Sequence, residues 1–212
     1  MKTVLLSFFA GIVFLTSCTK EATTGASITF QLKAFTSPVS GAQIVWTSGT
    51  ASVSRAKIEA KKNDSSYVEF IAEPNIQVDL FAAIDISKVS IPLGTYRNVT
   101  FRTELKSLSS KPSLFLEGIY TAGGVATPIS FKVDSTISIK SVKELIEINA
   151  TNSNYTAITS LTLNTLTTDI TEANLKAATR TDGKIIISRI SNDLIYFKML
   201  ANLAKNQIIE FK

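Results

Sequence analysis

From Ile28 onward, apolar and polar residues alternate with a period of two. Ile28, Phe30 and Leu32 take one side and Thr29, Gln31 and Lys33 the other, as in a strand with one face on a core. The pattern stops at Ser37-Pro38 and resumes over Ala42 to Trp46, ending in Thr47-Ser48-Gly49. It returns from Ala51 to Lys61, where Ala56, Ile58 and Ala60 oppose Arg55, Lys57, Glu59 and Lys61. After a turn at Asn63-Asp64-Ser65-Ser66 it runs through Val68, Phe70 and Ala72, then Ile76, Val78 and Leu80. Val89 to Leu105 follows, broken by Pro92-Leu93-Gly94. Leu114 to Tyr120, the Ala122-Gly123-Gly124 turn, Ile129 to Val133 and Thr136 to Lys140 complete the series. Short strands with turn signals at this spacing predict a sandwich or barrel, not βαβ units. Val142 to Ala150 fits either a further strand or a short helix, and Ala157 to Leu163 reads as a strand.

The last quarter changes period. Asp169-Ile170-Thr171-Glu172 has capping-box spacing and opens a short helix through Ala178. Ile185, Ile186 and Ile187 make an apolar strand. Ser191 or Asn192 caps a second helix with Tyr196, Met199, Leu200 and Leu203 on one face, and Gln207 to Phe211 closes as a strand. The expected architecture is mainly β, an antiparallel β-sandwich with two short C-terminal helices docked on it. The sandwich is expected over 28–140, with 141–212 a β/α extension packed against it.

The first residues follow another logic. Lys2 is followed by the uncharged run Val4 to Leu15, then Thr16-Ser17-Cys18, which is the layout of an export signal over 1–17. The run is too short to span a bilayer, which takes about 20 residues. Leu15-Thr16-Ser17-Cys18 resembles the lipobox of bacterial lipoproteins. That resemblance implies cleavage before Cys18, palmitate-type acylation of its thiol and a membrane partner reached through the lipid. Residues 18–27 then read as a lipidated tether. Cys18 is the only cysteine, so the mature chain has no disulfide or thiolate metal site.

Composition narrows the chemistry. The net charge of +5 drops by one when Lys2 leaves, and the excess is spread along the chain. Nucleic-acid binding requires clustered cations and is not expected. The chain has no histidine, which removes the commonest general base and metal ligand together and excludes Ser-His-Asp and Cys-His mechanisms.

Val78-Asp79-Leu80, followed by Ile91-Pro92-Leu93-Gly94-Thr95-Tyr96-Arg97-Asn98-Val99, resembles a pattern of the uncharacterised β-sandwich lipoproteins of Bacteroidota. Those domains are similar in outline to transthyretin-like or immunoglobulin-like sandwiches. The resemblance covers Ile28 to Lys140 and implies a surface or periplasmic binding role; it carries over no active-site residue. Physically, Pro92 marks a strand end and Gly94 permits a sharp reversal. Tyr96 then fits a tyrosine corner, its hydroxyl returned to nearby backbone.

Three chemical features remain. Arg55, Lys57 and Lys61 share one side of a strand, and Arg102 and Lys106 one side of another. If the strands neighbour each other, they offer an anionic glycan or lipid headgroup a face; alternation equally predicts a solvated outer sheet face. Trp46, the sole tryptophan, either stacks on a sugar ring or packs between sheets. Glu69, Glu73, Asp79, Asp85, Glu104 and Glu117 show no spacing that singles out a catalytic pair, and the Asn63 and Thr181-Asp182-Gly183 turns lack the oxygen density of a calcium loop. The expectation is a non-enzymatic binding or structural module without cofactor or metal, anchored in the outer membrane on its cell-surface or periplasmic side. Its partner is a glycan or another envelope protein. The alternatives are a carboxylate-based glycan hydrolase and a pilus-like structural subunit.

Overall fold

The computed structural model describes residues 25–35, 43–63, 66–82, 84–205 and 207–212. The expected export signal over 1–17, Cys18 and the Ser37-Pro38 break lie outside the described residues. Strand β1 (Gly25–Phe35) already includes Gly25, Ala26 and Ser27, which had been read as tether. Ala26 is buried, and Ser27 donates its backbone N–H to the Ser153 carbonyl at 2.8 Å.

β2 (Ile44–Lys62) is one continuous strand, where two had been expected. Thr47-Ser48-Gly49 makes no turn; the register shifts there and the strand continues. The glycine serves close approach, since a Cβ on Gly49 would lie 2.6 Å from Leu116 Cδ2. β3 (Tyr67–Ala72) and β4 (Ile76–Asp79) return along β2. β5 (Asp85–Pro92) and β6 (Gly94–Leu105) are separated only by Leu93 but belong to different sheets. β7 (Leu114–Ala122) and β8 (Val125–Val133) form a hairpin, with Gly123 and Gly124 at positive φ in its turn. β9 (Ile137–Ile148) settles Val142 to Ile148 as strand. β10 (Asn154–Thr162) leads into a 3-10 turn at Leu163–Thr167.

The chain closes with α1 (Glu172–Lys176), β11 (Arg180–Thr181), β12 (Lys184–Ile187), α2 (Asp193–Lys205) and β13 (Gln207–Phe211). The capping box of α1 is Thr171 with Asn174, two residues beyond the expected Asp169–Glu172 pair. Asp169 itself sits at φ 64°, a turn conformation that aspartate tolerates. Asn192 also takes positive φ; its side chain ties Thr179 and the Ile186 carbonyl instead of capping α2.

The fold is mainly β with two α-helices, but its sheets are mixed and not antiparallel throughout. One sheet has the order β13-β10-β1-β5, the other β11-β12-β8-β7-β2-β6-β9, with β3 and β4 also on β2. β1 pairs with β10 in parallel, Ser27 facing Asn154, and β8 pairs with β12 in parallel, Ile129 facing Ile185. Parallel partners need long crossovers, and here the whole of β2 to β9 separates β1 from β10. Such pairings are invisible to strand-by-strand periodicity.

The sheets share one core. Phe101 of β6 meets Phe211 of β13 at 5.8 Å between centroids, and β3 contacts β5 as β13 contacts β9. α2 buries Ile195, Tyr196, Met199 and Leu203, with Tyr196 against Phe131 of β8. Each such side chain contributes about 1.5–3 kcal/mol by leaving water. Asn202, also buried, donates to the Leu166 and Thr168 carbonyls, leaving no orphaned amide beside the 3-10 turn.

The Pro92-to-Tyr96 corner forms as the sequence predicts. Tyr96 is fully buried and its hydroxyl donates to the Pro92 carbonyl at 2.7 Å. Burial holds its phenol above the ordinary tyrosine range. Gly94, at φ 147°, makes the sheet-to-sheet step. Register then places the start of β1, the ends of β2, β5 and β9, and the starts of β6 and β10 at one end of the domain. Gly25 faces Pro92, Lys62 faces Tyr96, Gly94 faces Ile148 and Ser27 faces Asn154. β6 runs about 35 Å from there to Leu105, at about 3.3 Å per residue.

Candidate functional site

The expected cationic face exists as a neighbourhood. Lys57 lies directly opposite Arg102, with Arg55, Lys57, Glu59 and Lys61 outward on β2. Like charges in direct opposition destabilise a sheet, and here acids are interleaved. Lys57 Nζ lies 2.9 Å from Glu59 and also bonds Glu69 of β3. Arg102 reaches Glu59 at 3.5 Å and Ser138 at 3.1 Å. Arg55 bonds Glu73 through Nε at 3.1 Å and Nη2 at 2.8 Å, and the Tyr67 hydroxyl donates to Glu59 at 3.0 Å. Bonds to Glu69 and then Glu59 hold the Lys57 ammonium above its ordinary range, and the Lys57 bond chiefly holds the Glu59 carboxyl below its own. Three of the five cations are thus engaged in an ion-pair ladder, built when the β2–β3 hairpin swings Glu69 and Glu73 alongside. The other two sit at its ends. Lys61 is at the end where β1 begins; Lys106 lies past β6 in a recess of about 320 Å³ with Ser54, Arg55, Glu73, Asn75 and Glu104. An anion entering there meets both carboxylates.

Trp46 is 5 % exposed, and a Cβ on Gly118 would lie 3.1 Å from its ring. That packing leaves the indole no open face for a sugar. Cys18 lies outside the described residues. Among the described residues no three His, Cys, Asp or Glu side chains gather as metal ligands, and no helix is long and apolar enough to cross a membrane.

A larger recess, about 450 Å³, lies beyond the carboxyl ends of β8 and β12. Lys132 and Asp134 at the end of β8, Ser135, Ser188, Arg189 and Ile190 after β12, and Tyr196 of α2 line it. Its origin is the parallel pairing. β8 and β12 finish side by side, and the chain leaving β12 turns through reciprocal Ser188–Ser191 backbone bonds before entering α2. Crevices beyond the carboxyl ends of parallel strands are common ligand sites, and this volume suits a small molecule. Lys132 is paired with Asp134 at 3.2 Å, Tyr196 forms a buried wall, and Ile190 stands 97 % exposed on the rim. Sequence reasoning did not find this recess, because its walls come from segments more than fifty residues apart. The one local signal was the uninterrupted Ile185-Ile186-Ile187 run, which marks a strand covered on both faces.

Among the described carboxylates whose titration departs from the ordinary range, Glu59, Glu117 and Glu210 are all held low, by Lys57, Lys184 and Lys212 respectively. Groups held ionised in this way suit ion pairing and not proton donation. No protein-family model, no curated protein and no solved structure matches the chain.

Proposed function

We propose that this chain is a lipid-anchored envelope protein, a non-enzymatic binding module of β-sandwich type. One observation carries the reading. Cys18, placed behind the export-signal pattern, stands seven residues before the strand that opens the domain. A tether of this length reaches at most about 25 Å, at roughly 3.5 Å per residue. The likeness of Val78–Leu80 and Ile91–Val99 to Bacteroidota sandwich lipoproteins supports the same reading, with the outer membrane as location and a glycan or another envelope protein as partner.

The mixed serine, basic and apolar lining of the recess favours a saccharide, through hydroxyl hydrogen bonds and contact with Tyr196 and Ile190. The pilus-like reading would be favoured by an unpaired strand beside an open groove. β1 is instead paired on both sides, by β10 and β5.

Two measurements test the proposal. Cys18→Ala should abolish labelling by a palmitate analogue and leave the precursor uncleaved after Ser17; a variant still matured and membrane-bound would overturn the anchor. A glycan array probed with a chain beginning at Thr19 should give hits that Arg189→Ala weakens. Hits indifferent to that change would place binding elsewhere.

A further inference from the structure

The tethered end carries a rung whose composition the fold does not require. Register across four adjacent strands aligns Tyr67 of β3, Lys61 of β2, Arg97 of β6 and Leu145 of β9. All four point outward; Tyr67 is 63 % and Leu145 37 % exposed. Lys62 follows at the end of β2, its stem beside Gly94. Two features of this rung run against a purely structural role. Lys61 directly opposes Arg97, and like charges in direct opposition destabilise a sheet in water. Tyr67, its hydroxyl bonded to Glu59, and Leu145 flank them with apolar surface left in solvent.

We infer that this end of the domain docks on anionic lipid headgroups, with Lys61, Lys62 and Arg97 against phosphates and Tyr67 and Leu145 at the headgroup level. Cations gain favourable energy near an anionic bilayer, and tyrosine concentrates at membrane interfaces. The rung spans roughly 15 Å at about 4.8 Å between strands, wide enough to cover several headgroups. Tether length supplies the occupant. With acyl chains on Cys18 and β1 starting at Gly25, this end of the domain stays within about 25 Å of the bilayer. Two exposed carboxylates of β9, Glu144 beside Leu145 and Glu147 opposite Thr95, border the rung, while Glu210 is held by Lys212 at 3.0 Å. The inference rests on the lipid-anchor reading for its orientation.

Vesicle co-sedimentation tests it with a chain beginning at Thr19, which retains every residue of the shared core. Vesicles with about one-third phosphatidylglycerol should bind it and pure phosphatidylcholine vesicles should not, and raising salt toward 1 M should release it because screening shortens to about 3 Å there. Lys61→Ala, Lys62→Ala and Arg97→Ala together should weaken binding at least roughly tenfold. Removing the same charge at the helical end, by Lys176→Ala, Arg180→Ala and Lys205→Ala, should leave it within about twofold. Equal binding to both vesicle types, insensitivity to salt, or equal loss from both triple variants would overturn the inference. Should the first triple variant lose its circular dichroism melt, Arg97→Ala alone and the salt series decide. The lipid-free chain contains no Cys18, so this result is independent of palmitate labelling at Cys18, and either reading can fail alone.

Discussion

At the end where β1 begins, Tyr96 is fully buried, its hydroxyl is bonded to Pro92, and the strand ends meet through connections as short as Leu93. On α2 and the turn before it, Ile190, Leu194 and Phe197 stand 97 %, 78 % and 53 % exposed, and Ile190 edges a recess built from two distant segments. The same helix buries Ile195, Tyr196, Met199 and Leu203 on its inner side. The corner spends its apolar residues on closure, while the helix leaves several in water, where they add nothing to stability. Exposed apolar groups beside a recess are a common mark of recognition surfaces.

The contrast can be broken most severely by removing the helix and its flanking strands. Deleting Asp182 to Lys212 takes away β12, α2 and β13, and with them buried Ile185, Ile187, Ile195, Tyr196, Met199 and Leu203. At about 1.5–3 kcal/mol each, their loss is as large as a typical net stability of roughly 5–15 kcal/mol. The remainder should be insoluble or molten, without sharp amide spectra. An unchanged melting temperature would make the segment an appendage.

Met199→Ala should cost about 2–5 kcal/mol in urea unfolding, as a cavity in a closed core does. A loss below about 1 kcal/mol would mean that α2 is only loosely seated. At the corner, Tyr96→Phe should cost about 1–3 kcal/mol, because the Pro92 carbonyl loses a buried donor. An unchanged midpoint would show that the corner is held by packing alone.

The ion-pair ladder contributes less and depends on pH. Glu59 is held low chiefly by Lys57, so its stabilisation is fully present above its unfolded value of about 4.3 and is lost as pH falls through the lower folded value. Lys57 is held high, so its share is present below about 10.4 and lost as pH rises through its folded value. Glu59→Gln should lower stability at neutral pH by less than about 1 kcal/mol and flatten the acid limb of the stability curve. An acid limb identical to that of the parent chain would remove Glu59 from the ladder's energetics. Smallest of all, Leu194→Ser should move the melting free energy by no more than about 0.5 kcal/mol. A larger destabilisation would mean that this helix face is packed in solution.

How much of this was legible beforehand follows from distance along the chain. Alternation located most strands, and Tyr96 announced its bond to Pro92 because donor and acceptor lie four residues apart. Thr47-Ser48-Gly49 looked like a turn because its residue types suit one. Only β7, running past with Leu116, shows that the glycine makes room for a neighbour while the strand continues. Alternation puts Arg55, Lys57 and Lys61 on one side of β2, yet the partners Glu69 and Glu73 arrive on and just after β3, whose pairing is decided by the folded hairpin. Sequence alone determined period and turn chemistry, because each depends on residues within a turn or two of one another. The tertiary structure decided which strands run parallel, where the recess opens and which charges neutralise one another. Those outcomes depend on contacts between segments tens of residues apart, and no local pattern records them.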